Sequence, residues 1–142
     1  MAAPSLAWLG STRPAQASAP PVFQHAGLAI RGMDPVAYFA LNGPVRGREA
    51  YQEDWNGAVW RFASAANRDV FVADPVRYAP VFGGYCAYAA SRGSLASTVS
   101  NAWSVYEGRL FLNASLRARE FWTDRLPNSV AAGEANWPAI LG

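Results

Sequence analysis

Apolar and polar residues along this chain change period several times, and each change marks an element. From Glu49 to Phe62 the two classes alternate on either side of Asn56-Gly57. Tyr51, Glu53 and Trp55 lie on one arm, Trp60 and Phe62 on the other. Period-two alternation interrupted by Asn-Gly predicts a β-hairpin, because both central residues of the tight turn take positive φ. A second hairpin is expected where Trp103-Ser104-Val105-Tyr106 meets Leu110-Phe111-Leu112 across Glu107-Gly108. Leu28-Ala29-Ile30 reads as a short strand broken at Gly32.

The helical signals fall between and after the strands. Asp34-Pro35 places a capping carboxylate before a first-turn proline, so Val36–Leu41 should be helical and stop at Asn42-Gly43. Ser64 can cap a helix running through Asn67, Val70 and Phe71 to Asp74-Pro75, with one further turn carrying Tyr78 before Pro80. A helix is expected from Cys86 to Gly93. Another, between Ser115 and Leu126, sets Leu116, Arg119, Glu120 and Phe121 at helical spacing, and a last one runs from Pro127 towards Trp137. The expected class is α+β: small antiparallel hairpins packed with several short helices, and a helical extension at the C-terminal end.

Residues 1–24 stand apart. They are rich in Ala, Pro and Ser, and Ala17-Ser18-Ala19 fits the small-x-small pattern of a secretory cleavage site after the apolar Leu6-Ala7-Trp8-Leu9. The expectation is a flexible leader or the remnant of an export signal, followed by one domain over residues 25–142 and a periplasmic or secreted location. A chain of 142 residues with 51% hydrophobic and 13% aromatic residues can bury a sizeable core. The net charge of +2 comes from arginines interleaved with acids, without a basic run, which argues against a nucleic-acid partner. No apolar stretch is long enough to span a bilayer.

The chemistry-bearing feature is the single cysteine in Gly83-Gly84-Tyr85-Cys86-Ala87-Tyr88-Ala89. A thiol at a helix start meets free backbone N–H groups, which favour its thiolate. One cysteine makes no internal disulfide, leaving a free thiol, an intermolecular partner (and hence a homodimer) or a ligand; most free cysteines are small buried hydrophobes. Tyr85, Tyr88, Trp60, Trp103 and Tyr38 could line a pocket around Cys86 for a small apolar or planar molecule. The soft or nitrogen donors are Cys86, His25, Met1 and Met33, of which Cys86, Met33 and His25 could form a soft-metal site of copper type, though spacing gives it no support. A redox-sensing thiol is a third reading. A Cys–His nucleophile would need His25 folded back on Cys86, and Asp34, Glu53, Asp54 and Asp69 read as a cap and solvated positions rather than as an acid–base pair, so no catalytic residue is assigned.

Several ordered motifs resemble the exported YHS-domain proteins: Gly32-Met33-Asp34-Pro35-Val36-Ala37-Tyr38-Phe39; Trp55-Asn56-Gly57 with Trp60 and Phe62; Asn67, Phe71, Pro75, Tyr78 and Pro80; Phe82-Gly83-Gly84-Tyr85-Cys86-Ala87; and Leu110-Phe111-Leu112-Asn113. The resemblance covers residues 28–140 and implies a YHS-type fold. Metal-handling members of that wider group carry thiols in a D-P-V-C-G-M opening and an F-C-S-x-x-C run. Those positions are Ala37, Ala63 and Asn67 here, so the resemblance does not bring a metal site with it. What it implies is an exported binding or accessory module, with Cys86 as the first residue to test.

Overall fold

The structure is a computed structural model and describes residues 18–142. Both hairpins form as the alternation predicts. β3 (Arg48–Trp55) pairs antiparallel with β4 (Ala58–Phe62), and Asn56 and Gly57 between them take φ of 50° and 78°. β5 (Trp103–Tyr106) pairs with β6 (Arg109–Leu112) across Glu107-Gly108, again with both φ values positive. Two short strands, β1 (Gln24–His25) and β2 (Leu28–Ala29), join the first hairpin to make a four-stranded sheet of order β1-β2-β4-β3. The β2–β4 pairing is parallel, a detail that alternation does not encode.

Six helices complete the described fold: α1 (Ala37–Ala40), α2 (Ala65–Ala73), α3 (Pro75–Tyr78), α4 (Ala87–Ser91), α5 (Leu116–Asp124) and α6 (Asn128–Asn136). The Ser64 and Ser115 hydroxyls accept from the N–H groups of Asn67 and Ala118, so α2 and α5 start where their caps are. With 40% helix and 22% strand, the domain is α+β. No helix among the described residues is long and apolar enough to cross a membrane.

Burial divides the interior into two clusters. Trp60, Phe62 and Phe71 pack with Tyr38 in the first; Phe82, Phe111 and Trp122 pack with Ala87 and Ala90 in the second. β6 is buried on both faces, sending Leu110 and Leu112 into the first cluster and Phe111 into the second. That strand is the wall the two halves of the core share.

Asp34 ties the first cluster together. Its carboxylate is fully buried. Oδ1 accepts from the N–H groups of Val36 at 2.8 Å and Ala37 at 3.3 Å; Oδ2 accepts from Ala63 N–H and Asn67 Nδ2, both at 2.8 Å. The helix starts one residue later than expected, with Val36 as its N-cap, but the Asp34 carboxylate does receive the N–H groups at that start, and it also holds the end of β4 and the first turn of α2. Ala37, Ala63 and Asn67 therefore meet around one carboxylate.

Residues just before the expected boundary at residue 25 pack onto the domain. Val22 is 1% exposed and Phe23 8% exposed. Phe23 N–H donates to the Gly83 carbonyl at 2.9 Å, and Ala19 N–H to the Leu141 carbonyl at 2.8 Å. The Ala/Pro/Ser composition concealed two apolar residues that the core takes up. Leu6-Ala7-Trp8-Leu9 and Ala17, on which the export reading rests, lie outside the described residues.

Candidate functional site

Cys86 does sit at a helix start, as the N-cap of α4, but that helix is only five residues long and the thiol is 1% exposed. Sγ accepts from the N–H groups of Ala89 at 3.5 Å and Ala114 at 3.3 Å, and its S–H donates to Asn113 Oδ1 at 3.4 Å. Asn113 Oδ1 also accepts from Tyr88 N–H at 2.9 Å, which fixes the amide and leaves its buried Nδ2 without a partner. Cys86 and Asn113 thus tie α4 to the end of β6. Metal binding and redox sensing both require an agent to reach Sγ, which these groups enclose.

The aromatic residues expected around Cys86 face elsewhere. Tyr38 is buried against Trp103, ring centroids 5.7 Å apart, and its hydroxyl donates to the Ser100 carbonyl. Tyr85 donates to the Pro20 carbonyl at 2.8 Å and faces Phe23 and Trp137. Burial raises the pKa of both tyrosines above the ordinary value, so they act as neutral donors. Tyr88 packs on Phe121 at 5.6 Å beneath Arg92. The extended backbone at Tyr85 (ψ 163°) turns its ring away before α4 begins, so Tyr85 and Tyr88 do not share a helical face.

The candidate metal donors are also placed apart in role. Met33 packs against the first core cluster, and His25 is exposed on β1. Among the described residues, no three His, Cys, Asp or Glu side chains stand close enough to hold a metal ion. Replacing the cap should therefore change stability more than chemistry. Cys86→Ser, which keeps an acceptor at the N-cap, should stay within about 1 kcal/mol of the parent, and Cys86→Ala should lose about 1–2 kcal/mol. A maleimide should label the native thiol only at the rate at which the protein opens; fast labelling without denaturant would show that Sγ is accessible.

A cleft does exist, with Gly83 but not Cys86 on its lining. Its volume is about 630 Å³ and its apolar walls include Trp55, Trp60, Phe82 and Trp137, with Pro21 and Val76 nearer its edge. It lies where the two core clusters meet: Trp60 belongs to the first and Phe82 to the second. Trp60 Nε1 donates to the Trp55 carbonyl at 3.0 Å, and the two indoles pack at 5.9 Å, which fixes that wall. Trp137 is held at 5.9 Å from Phe82.

Gly83 is on the lining beside Pro21. Its φ is +63°, and a Cβ there would overlap the Pro21 carbonyl oxygen, so only glycine lets residues 20–23 lie against this turn. Gly83 lines the cleft, whereas Gly84 packs closely against the Ile30 and Pro80 side chains. The ionisable side chains on the lining are Arg77, Arg109 and Glu134; the last two form a 2.7 Å ion pair, each about half exposed. Of the residues expected at a pocket, Trp60 lines this cleft, whereas Cys86, Tyr85, Tyr88, Trp103 and Tyr38 do not.

Sequence reasoning missed Trp55, Val76, Arg77 and Trp137 as site residues. The available signal was proline beside the future lining at three distant places: Pro20-Pro21, Ala79-Pro80 and Trp137-Pro138. A smaller polar cleft of about 430 Å³ lies between α4 and the start of α6, beside Tyr88 and Arg125. No protein-family model, curated protein or solved structure matches this chain.

Proposed function

We propose that this chain is an exported YHS-type binding or accessory module that holds a small, mainly apolar molecule in the tryptophan cleft. The carrying observation is the cleft itself: about 630 Å³ of preformed space, walled by indole and proline rings and placed at the junction of two core clusters. That volume lies within the range of small-ligand sites, roughly 300–1,000 Å³. Binding is favoured over catalysis because the lining offers an ion pair and one further guanidinium, with no nucleophile beside a base. The thiol enters only as a structural cap. Export and YHS membership are supported by the Ala17-Ser18-Ala19 pattern and by the ordered motifs between residues 28 and 140.

N-phenyl-1-naphthylamine, a neutral dye that fluoresces in apolar surroundings, tests the binding reading. Saturable enhancement at one site per chain is expected. Val76 is 78% exposed and lines the cleft, so Val76→Glu should weaken the dye at least fivefold while leaving stability within about 0.5 kcal/mol. A lack of saturable binding, or equal binding to the variant, would overturn the proposal.

A further inference from the structure

Resting on that reading, we infer that the cleft selects an amphipathic anion: an apolar, ring-sized body with a carboxylate-like or sulfonate-like head received by Arg77. The charge inventory carries the inference. Three ionisable side chains line the cleft, and Arg109 and Glu134 neutralise each other at 2.7 Å. Arg77 has no carboxylate within 4.0 Å among the described residues, so one positive charge on the lining is uncompensated.

Its position is also defined. Arg77 belongs to α3, a single turn bounded by Pro75 and, two residues past its end, Pro80; its guanidinium carbon stands 5.3 Å from the Tyr78 ring centroid. Stacking on an aromatic face limits the directions the planar fork can take. Val76, the neighbouring residue in α3, adds an apolar surface to the same lining. A neutral apolar ligand would gain the walls but nothing from Arg77. A cation would be repelled, and an anion with an apolar body uses both features through a charge-assisted hydrogen bond.

Two dyes with the same ring framework separate the terms: N-phenyl-1-naphthylamine and its sulfonated relative 1-anilinonaphthalene-8-sulfonate. Both are titrated against the full chain and its variants, with the thermal midpoint of each variant recorded. Arg77→Gln should weaken the sulfonate dye about tenfold and the neutral dye less than twofold, the size of one charge-assisted contact at a partly wet site. Glu134→Gln, which frees Arg109, should tighten the sulfonate dye several-fold and leave the neutral dye unchanged. Raising the salt concentration should weaken only the sulfonate dye.

Equal effects on both dyes, or no effect of either variant, would overturn the anion inference while the neutral dye still reported the apolar site. If neither dye binds the parent chain, the binding reading fails and the inference fails with it.

Discussion

Asp34→Ala is expected to cost on the order of 4 kcal/mol, as much as truncating one of the fully buried aromatic side chains of this domain. Four donors converge on that carboxylate: Val36 N–H, Ala37 N–H, Ala63 N–H and Asn67 Nδ2. All would lose their acceptor, the first two at fully buried bonds and the last two at part-buried ones. An unsatisfied buried donor costs about 1–3 kcal/mol, and water entry or local collapse keeps the total below a simple sum. The loss is also topological, because the four bonds join the start of α1, the end of β4 and the first turn of α2. Asp34→Asn keeps one acceptor oxygen but turns an amide NH2 towards two donors, so about half the loss is expected. Denaturant unfolding with an unchanged m value reads both. A loss under about 1 kcal/mol for the alanine variant would show that the carboxylate does not hold these elements together.

Gly83→Ala should cost on the order of 3 kcal/mol and abolish dye binding. A left-handed backbone disfavours alanine by about 1–2 kcal/mol. The larger part comes from the Pro21 carbonyl oxygen, which occupies the space a Cβ needs. That oxygen cannot move alone: Phe23 N–H is bonded to Gly83 and Tyr85 Oη to Pro20, while Val22 and Phe23 are buried beneath. Displacing the segment removes the Pro21 edge of the cleft and exposes both apolar side chains. Gly57→Ala separates the two terms, since φ there is +78° but a Cβ would meet open space; it should cost only about 1 kcal/mol and leave dye binding intact. Equal losses at the two positions would remove the overlap argument.

The contrast between these glycines parallels what could be read from the chain. Asn56-Gly57 and Glu107-Gly108 announce their hairpins because the turn requirement is local, and Ser64 and Ser115 announce their helices through caps three residues from the groups they serve. Asp34 was legible as a cap for the same reason. Its bonds to Ala63 and Asn67 were not, because they span about thirty residues of chain.

The cleft needed still more. Pro21, Trp55, Arg77, Arg109 and Trp137 come from five separate stretches, and only the packing of two core clusters brings them to one place. The glycine pair marks a segment that carries both a buried helix cap and part of the cleft lining. Its neighbour Cys86 is used inside the fold, bonded to Asn113 and Ala114, while Gly83 shapes the surface. Ala, Pro and Ser dominate up to residue 24, which hid from the sequence reading the two buried side chains, Val22 and Phe23, that anchor the segment just before residue 25.

The central claim is that binding resides in the tryptophan cleft and the thiol is structural. Amide and indole chemical-shift mapping of the ¹⁵N-labelled chain with N-phenyl-1-naphthylamine tests it most directly. The account predicts the largest shifts at Gly108 and at the indole N–H groups of Trp55 and Trp137, with Tyr88, Asn113 and Ala114 unmoved. Largest shifts at Cys86, Tyr88 and Asn113, with Trp137 and Gly108 unchanged, would contradict it.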